Sequence, residues 1–233
     1  MDAARAAHAL ASATAALAHQ RDVHTGLLAV MDGACEALEA DTAAILVSTG
    51  GHLEMLAATS HRAADLELHQ LHLEEGPCVE AISTRRPVVA AGDAEITRRW
   101  PQVAPLMLAA DLHSVIASPV SWHDTALGGL NLFRHEPREF SGSDQEMAAA
   151  FASLSANHLL HAADVSADEI RRRVDGSFAD RIVIEQAKGV IAEMQGSTMA
   201  EAYDELVRDA RDRSESITDT ARRVLTEAQR QML

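Results

Sequence analysis

Lysine is nearly missing from this 233-residue chain: of 20 Lys and Arg residues, 19 are arginine and one, Lys188, is lysine. Such a composition would supply arginine at an ordinary surface cation, and arginine's planar fork is not interchangeable with a compact ammonium. The lone lysine therefore reads as selected for its place, although chance also has to leave the last lysine somewhere. Aromatic residues make up only 3%, so the core has to be assembled from Ala, Leu, Val and Ile. No run of about 18 apolar residues occurs, which excludes a membrane-spanning helix. The N-terminus lacks a basic segment followed by a Leu-rich one, so no signal peptide is expected. Cys35 and Cys78 are the only thiols; two cysteines make neither a disulfide framework nor, unaided, a structural zinc site. A cytoplasmic protein with reduced thiols is expected.

Positive charge is scarce as well. The net charge of −15 disfavours a polyanionic partner unless the cations gather in one place. From Val165 onward there are 11 Lys+Arg against 14 Asp+Glu, a net −3, while residues 1–164 hold 9 against 21, a net −12. The C-terminal part is close to neutral.

The chain divides by pattern. Residues 3–40 read as helical, with Leu27, Leu28, Met31, Cys35 and Leu38 at helical spacing, and residues 1–21 as a loose helical lead-in. Thr42–Ser48 and His52–Thr59 flank Gly50-Gly51 as a hairpin. Glu75-Gly76-Pro77 breaks the chain before a helix to Ser83, and Val88–Ala90 is a brief strand. A proline-punctuated helical stretch ends near Ala110. Ser114–Trp122 and Ala126–Phe133 form a second hairpin, and a long helix follows to about Ala163, with Ser143 as N-cap and Glu146 closing a capping box. This order predicts an α+β domain over 22–163 with a mostly antiparallel sheet. The remainder is all-helical, with 164–173 as a linker helix and 174–233 as a three-helix bundle. One helix or two, broken at Gly176, occupy 168–195. Thr198 to Glu201 is another capping box, and the last helix starts at Ser216 or Thr218. Val183, Ala187, Val190, Ile191 and Met194 are the expected core stripe of the first helix. The helix at 144–163, through Met147, Phe151, Leu154 and His158, continues toward 169–182 with spacing suited to dimerisation.

Arg181, Ile184, Gln186-Ala187-Lys188-Gly189-Val190-Ile191, Glu201-Ala202-Tyr203, Leu206, Ala210, Ile217, Asp219 and Ala221 make the C-terminal segment resemble an ANTAR domain, the RNA-binding module of bacterial antiterminators. Glu75-Gly76-Pro77-Cys78, Arg86-Pro87-Val88, Arg99-Trp100-Pro101, Ser114-Val115, Pro119-Val120 and Leu127-Gly128-Gly129-Leu130-Asn131-Leu132-Phe133 make the preceding part resemble a GAF domain. The resemblance implies a cytoplasmic, signal-responsive transcription antitermination regulator. Its GAF domain would sense an unidentified small-molecule or protein signal, and its ANTAR domain would bind tandem RNA hairpins, as a homodimer. It implies no enzyme activity, metal or cofactor. The chain departs from the family pattern at Gln195-Gly196-Ser197, Val207 and Ser214-Glu215-Ser216, where basic residues are common.

Hairpin loops offer splayed bases and phosphates, read by hydrogen bonds, stacking and cations. Lys188 suits a phosphate, Gln186 a base edge, and Gly189 a close approach that offsets its cost of about 1 kcal/mol in a helix interior. Arg181, Glu185, Lys188 and Ala192 share one face of the helix, opposite Val183, Val190 and Met194. The candidate RNA-binding set is Arg181, Gln186, Lys188, Gly189, Arg208, Arg211 and Arg213. The bland alternative is that these side chains are solvated ion-pair partners, as Glu185 to Lys188 and Asp204 to Arg208 would be. Arg171-Arg172-Arg173 reads as a solvated face. Cys78 follows Gly-Pro at a helix start, where the dipole could lower its pKa and permit redox or ligand sensing; a small buried residue is the alternative. The twelve histidines are scattered, with only His69 and His72 suggestively spaced, and no metal is expected. Two other functions fit parts of the sequence. One is an interaction module with a degenerate ANTAR bundle. The other, more remote, is a GAF-type thiol enzyme acting on free methionine sulfoxide, which would need two neighbouring thiols.

Overall fold

The computed structural model describes residues 2–19, 22–49, 52–123, 125–160 and 167–231. Helices α1 (Ala3–His19) and α2 (Val23–Leu38) lead into strands β1 (Thr42–Thr49) and β2 (His52–Ala58). Helices α3 (His61–Leu73) and α4 (Pro77–Thr84) precede β3 (Val88–Ala91), α5 (Asp93–Arg99) and α6 (Ala104–Ala109). Strands β4 (Ser114–Trp122) and β5 (Thr125–Arg134) and helix α7 (Gly142–Leu160) follow, then α8 (Ala167–Gln195), α9 (Met199–Arg213) and α10 (Ile217–Gln231). The strands form one antiparallel sheet in the order β2-β1-β5-β4-β3, as the hairpin pattern predicts.

Alternation along the strands sorts the core into two layers. Ile45, Val47, Leu130 and Leu132 face α2 and α7 with Leu27, Met31 and Phe151. Val115, Ala117 and Phe133 face Trp100 and Met107, and Ala44, Leu46 and Met55 face Ala63 and Cys78. The expected loose lead-in is instead packed: Ala6, Ala9 and Ala13 are buried against α2. Small residues allow the close approach, since a Cβ at Gly33 would lie 3.2 Å from Ala13 Cβ and 3.2 Å from the Ala9 carbonyl. The predicted break at Gly176 is absent, and α8 runs continuously from 167 to 195, merging linker and bundle. The long α7 is capped by Ser141 and Asp144 rather than by Ser143 and Glu146: Ser141 N donates to Asp144 Oδ2 at 2.8 Å and Asp144 N to Ser141 Oγ at 3.2 Å. Buried Phe140 sets this earlier register. Phe151 is spent in the core and His158 is buried, so this part of the expected dimerisation face is covered within the chain, and the side chains of its continuation over 169–179 lie outside the described residues.

Sheets leave edges, and β2 is one of them. Helices α8 and α9 cover it, which removes a template for strand addition. The core of the three C-terminal helices (Ile184, Ala187, Ile191, Ala202, Tyr203, Leu206, Ala210, Ile217 and Ala221) is continuous with the α2/α7 layer. At the start of α10, where a helix leaves its first N–H groups without partners, Ile217 N donates to Thr25 Oγ1 at 3.0 Å. Thr218 Oγ1 lies 3.1 Å from Asp22 Oδ1. Asp22 also caps α2, accepting from Thr25 N at 2.8 Å.

Candidate nucleic-acid interface and sensor core

The predicted capping box at the start of α9 is present: Glu201 N donates to Thr198 Oγ1 at 3.2 Å and Thr198 N to Glu201 Oε2 at 2.8 Å. It fixes the angle at which α9 folds back on α8. The buried stripe of α8 is Ile184, Ala187, Lys188 and Ile191; of the expected stripe Ala187 and Ile191 are buried and Val183 and Val190 half-buried, while Met194 faces out. Met194 is 58% exposed and Ile182 59%. The cause is tertiary: α8 packs against both α10 and the β2 edge, so its covered face is rotated toward the sheet.

This rotation divides the predicted RNA-binding set. Lys188 is only 3% exposed. Its Nζ bonds to Glu185 Oε1 and Oε2 at 3.0 and 2.9 Å and lies 5.3 Å from the centre of the Tyr203 ring, a cation–π distance. Arg181 Nη1 donates to the Met55 carbonyl of β2 at 2.7 Å. Gln186 is exposed, on another face from Lys188. Gly189 is half-buried, and a Cβ there would meet nothing within 4 Å. Among the described residues no close approach accounts for this glycine. On α9, Arg208 is exposed and its Nε donates to the Asp204 carbonyl at 3.3 Å. Arg211 pairs with Asp32 of α2, and Arg213 Nε with Asp209 Oδ1 at 2.6 Å. On α10, Arg222 pairs with Asp180 at 2.6 Å, and Arg223 with Asp209 at 2.5 Å and Glu215 at 3.3 Å. The expectation of i,i+3 pairing between Glu185 and Lys188 holds. The exposed pairs of Arg211, Arg213 and Arg222 are worth roughly 0–1 kcal/mol each and can be exchanged for a phosphate, whereas the Lys188 pair is buried. The side chains of Arg171-Arg172-Arg173 lie outside the described residues.

Sequence reasoning missed two partners of this set. Tyr203, the chain's single tyrosine, is buried and its hydroxyl donates to the Ala58 carbonyl at the end of β2, at 2.7 Å. A buried tyrosine needs such a partner, so its rarity was a usable signal. His24 of α2 is also buried, beside Leu56, Arg181 and Glu185. Burial pushes its pKa down to about 4; Arg181 adds to that, while Asp22 and Glu185 oppose it.

The other face of the sheet holds a buried polar cluster. Glu67 and Gln70 of α3, Cys78 of α4 and Asn131 of β5 all have no exposed surface. Asn131 Nδ2 donates to Glu67 Oε1 at 2.5 Å, and Cys78 N to Gln70 Oε1 at 3.4 Å. Gly76, at φ 140°, makes room for Gln70, whose Oε1 would lie 2.1 Å from a Cβ there. Glu67 Oε2, Gln70 Nε2 and Asn131 Oδ1 have no hydrogen-bond partner among the described residues. Burial raises the Glu67 pKa to about 8, against the hydrogen bond from Asn131 that lowers it, so this acid is largely neutral at pH 7. Cys78 does not behave as an activated thiol. Burial, with Glu67 beside it, drives its pKa well above the ordinary value and overrides the helix dipole. Cys35 is likewise raised by burial, and it packs on the α2/α7 face, across the sheet from Cys78. His69 Nδ1 contacts the Asp65 carbonyl at 2.7 Å, and the His72 side chain lies outside the described residues. Among the described residues no group of three or more His, Cys, Asp or Glu could hold a metal ion, and no helix is long and apolar enough to cross a membrane.

An antiparallel five-stranded sheet with helices on both faces and a helical bundle over one edge defines a sensor-type domain joined to a helical output unit. The GAF-domain family model matches residues 20–159 and the ANTAR-domain model residues 173–225. The chain belongs to the GAF family and is a GAF and ANTAR domain-containing protein, which places it among signal-transduction regulators. Among solved structures it is similar to the GAF domain of a phosphoenolpyruvate-protein phosphotransferase from Coxiella burnetii. The two share 19% identity at a TM-score of 0.56, over 70% of this chain and 96% of that one. It is also similar to free methionine-R-sulfoxide reductase from Neisseria meningitidis, at 15% identity and a TM-score of 0.54, over 75% of this chain and 94% of that one. At these identities the likeness is one of fold. No curated protein matches the chain.

Proposed function

We propose that the chain is a signal-responsive RNA-binding transcription antitermination regulator, acting in the cytoplasm as a homodimer, in which the ANTAR helices bind tandem RNA hairpins. The ANTAR match over 173–225 carries this reading, and the candidate residues Arg181, Gln186, Lys188, Gly189, Arg208, Arg211 and Arg213 all fall on its helices α8 and α9. Lys188 and the arginines supply phosphate contacts, Gln186 a base edge, and Gly189 the space for a nearby backbone. The GAF core supplies the signal input, and Glu67, Gln70 and Asn131 offer it unmet donors and acceptors. The signal itself is unnamed by these residues, and Cys78 contributes a buried wall instead of a reactive thiol.

The observation favouring the interaction-module alternative is that so many of the cations are already paired with carboxylates. Catalysis by a thiol pair is opposed by the separation of Cys35 and Cys78 across the sheet. A gel-shift titration of the full chain with a two-hairpin RNA at several salt concentrations decides between RNA binding and the interaction module. RNA binding predicts affinity that falls log-linearly with salt, with a slope set by the phosphates contacted. A flat salt response, or no shift at low salt, rejects it.

A further inference from the structure

The chain's only lysine and only tyrosine meet at the seam between the two domains. We propose that this structure is the closed state of a latch, in which the ANTAR unit is docked on the free edge of the GAF sheet through part of its own RNA-binding set and must lift off before RNA can be gripped. The inference rests on the RNA-binding reading above.

Three contacts form the latch. Tyr203 Oη donates to the Ala58 carbonyl at 2.7 Å, Arg181 Nη1 to the Met55 carbonyl at 2.7 Å, and Arg211 pairs with Asp32. Lys188 lies behind them with its ammonium held by both Glu185 oxygens. A phosphate cannot reach it, because the seam leaves a gap of only about 20 Å³, room for about one water. Gln186 and Arg208 are exposed in the same structure, so the set is half masked and half presented. The seam is also of a kind that opens. Its ties to the sheet are hydrogen bonds to strand-edge carbonyls that water can replace, and it buries the Lys188 ammonium, whose desolvation offsets much of its attraction to Glu185. The apolar contacts that join the ANTAR helices to the α2/α7 layer stay in place, and the polar ties at the β2 edge are the ones that release.

Helix α3 connects the latch to the sensor core. Its N-cap Ser60, His61 and Ala64 line the gap beside Lys188 and Tyr203, immediately after the Ala58 carbonyl that Tyr203 holds. Two turns further on, Glu67 and Gln70 enter the polar cluster with Asn131. A ligand satisfying those groups acts on the same helix whose first turn braces the ANTAR unit.

The single lysine gives a direct readout. Trace acylation of the full-length protein, quantified by mass spectrometry at Lys188 and normalised to the α-amine, measures opening without RNA. Tyr203→Phe deletes one hydrogen bond and keeps the ring. It should raise Lys188 labelling about fivefold, with a matching gain in affinity for a two-hairpin RNA. Asp32→Asn cuts an exposed tie, leaves the core untouched, and should raise both about twofold; circular dichroism checks that each variant keeps the fold. Labelling that stays at the wild-type rate in both folded variants overturns the latch. Labelling that rises while RNA affinity stays level or falls overturns its role as a mask. Labelling that rises when no form binds RNA at any salt supports the opening and rejects the RNA-binding reading.

Discussion

The two domains are built from the same alanine- and leucine-rich material and held together by different means. The GAF half makes its own core: side chains from both faces of a five-stranded sheet pack under α2 and α7 on one side and α3 to α6 on the other. The ANTAR half is too small for that. Roughly 50 residues bury too little surface for comfortable independent stability, and its three apolar stripes close by merging with the α2/α7 layer and sealing the β2 edge. Burial of polar groups differs in the same way. In the GAF core it leaves Glu67, Gln70 and Asn131 with unmet hydrogen bonds, whereas at the seam Lys188, Arg181 and Tyr203 each have a partner and the unmet atoms are both ring nitrogens of His24 and Nδ1 of His61. A small helical output unit can therefore be folded, stable and occluded by one set of contacts.

The largest expected effect would break this comparison outright. Phe151→Ala hollows out a fully buried site in the layer shared by both halves and should cost about 3–5 kcal/mol. Because the core is continuous, calorimetry should show one cooperative transition moving as a whole; a separate, unshifted ANTAR transition would show that the halves are independent. A smaller effect follows from His24. Its pKa is about 4 in the closed seam and about 6.5 once exposed, so protonation favours the open form. The stabilisation of the closed form is complete above pH 6.5, declines as pH falls toward 4, and changes no further below that. Between pH 7 and 5.5 the opening equilibrium should rise by up to roughly tenfold. Hydrogen exchange across 52–58 and 199–206, corrected for its intrinsic pH dependence, measures this, and protection that holds constant or increases contradicts it. The smallest effect sharpens the output side. Arg208→Ala touches an exposed side chain and should change stability by less than about 0.5 kcal/mol. It should weaken RNA binding uniformly and reduce the salt slope by about one, read in the same gel-shift titration; an unchanged slope removes Arg208 from the interface.

Several elements were legible because local chemistry dictates them. The Thr198–Glu201 capping box, the two hairpins and the break at Gly76 all follow from turn and cap residues that act on their own backbone. The cap of α7 was misplaced by two residues because Ser141 with Asp144 and Ser143 with Glu146 satisfy the same local rule, and burial of Phe140 chose between them. Helix α3 left no clear stripe because its buried face is mixed. Glu67 and Gln70 share the buried face with Ala63, Ala64 and Leu66 while Leu68 is 37% exposed, so polar residues interrupt the face that matters. The covered face of α8 was misjudged for a related reason, since Ile182 and Met194 are apolar yet exposed.

The sequence by itself settled the kind of fold, the two-domain order and which residue types gather on the last helices, because hydrophobic period, caps and turns are properties of neighbouring residues. Only the tertiary structure decided that Lys188 turns inward to Glu185 and Tyr203 while Gln186 turns out, and that Glu67 stays largely neutral beneath α3. Those outcomes depend on which distant strand edge or helix excludes water from a side chain, and that is set by packing between segments 64 to 145 residues apart.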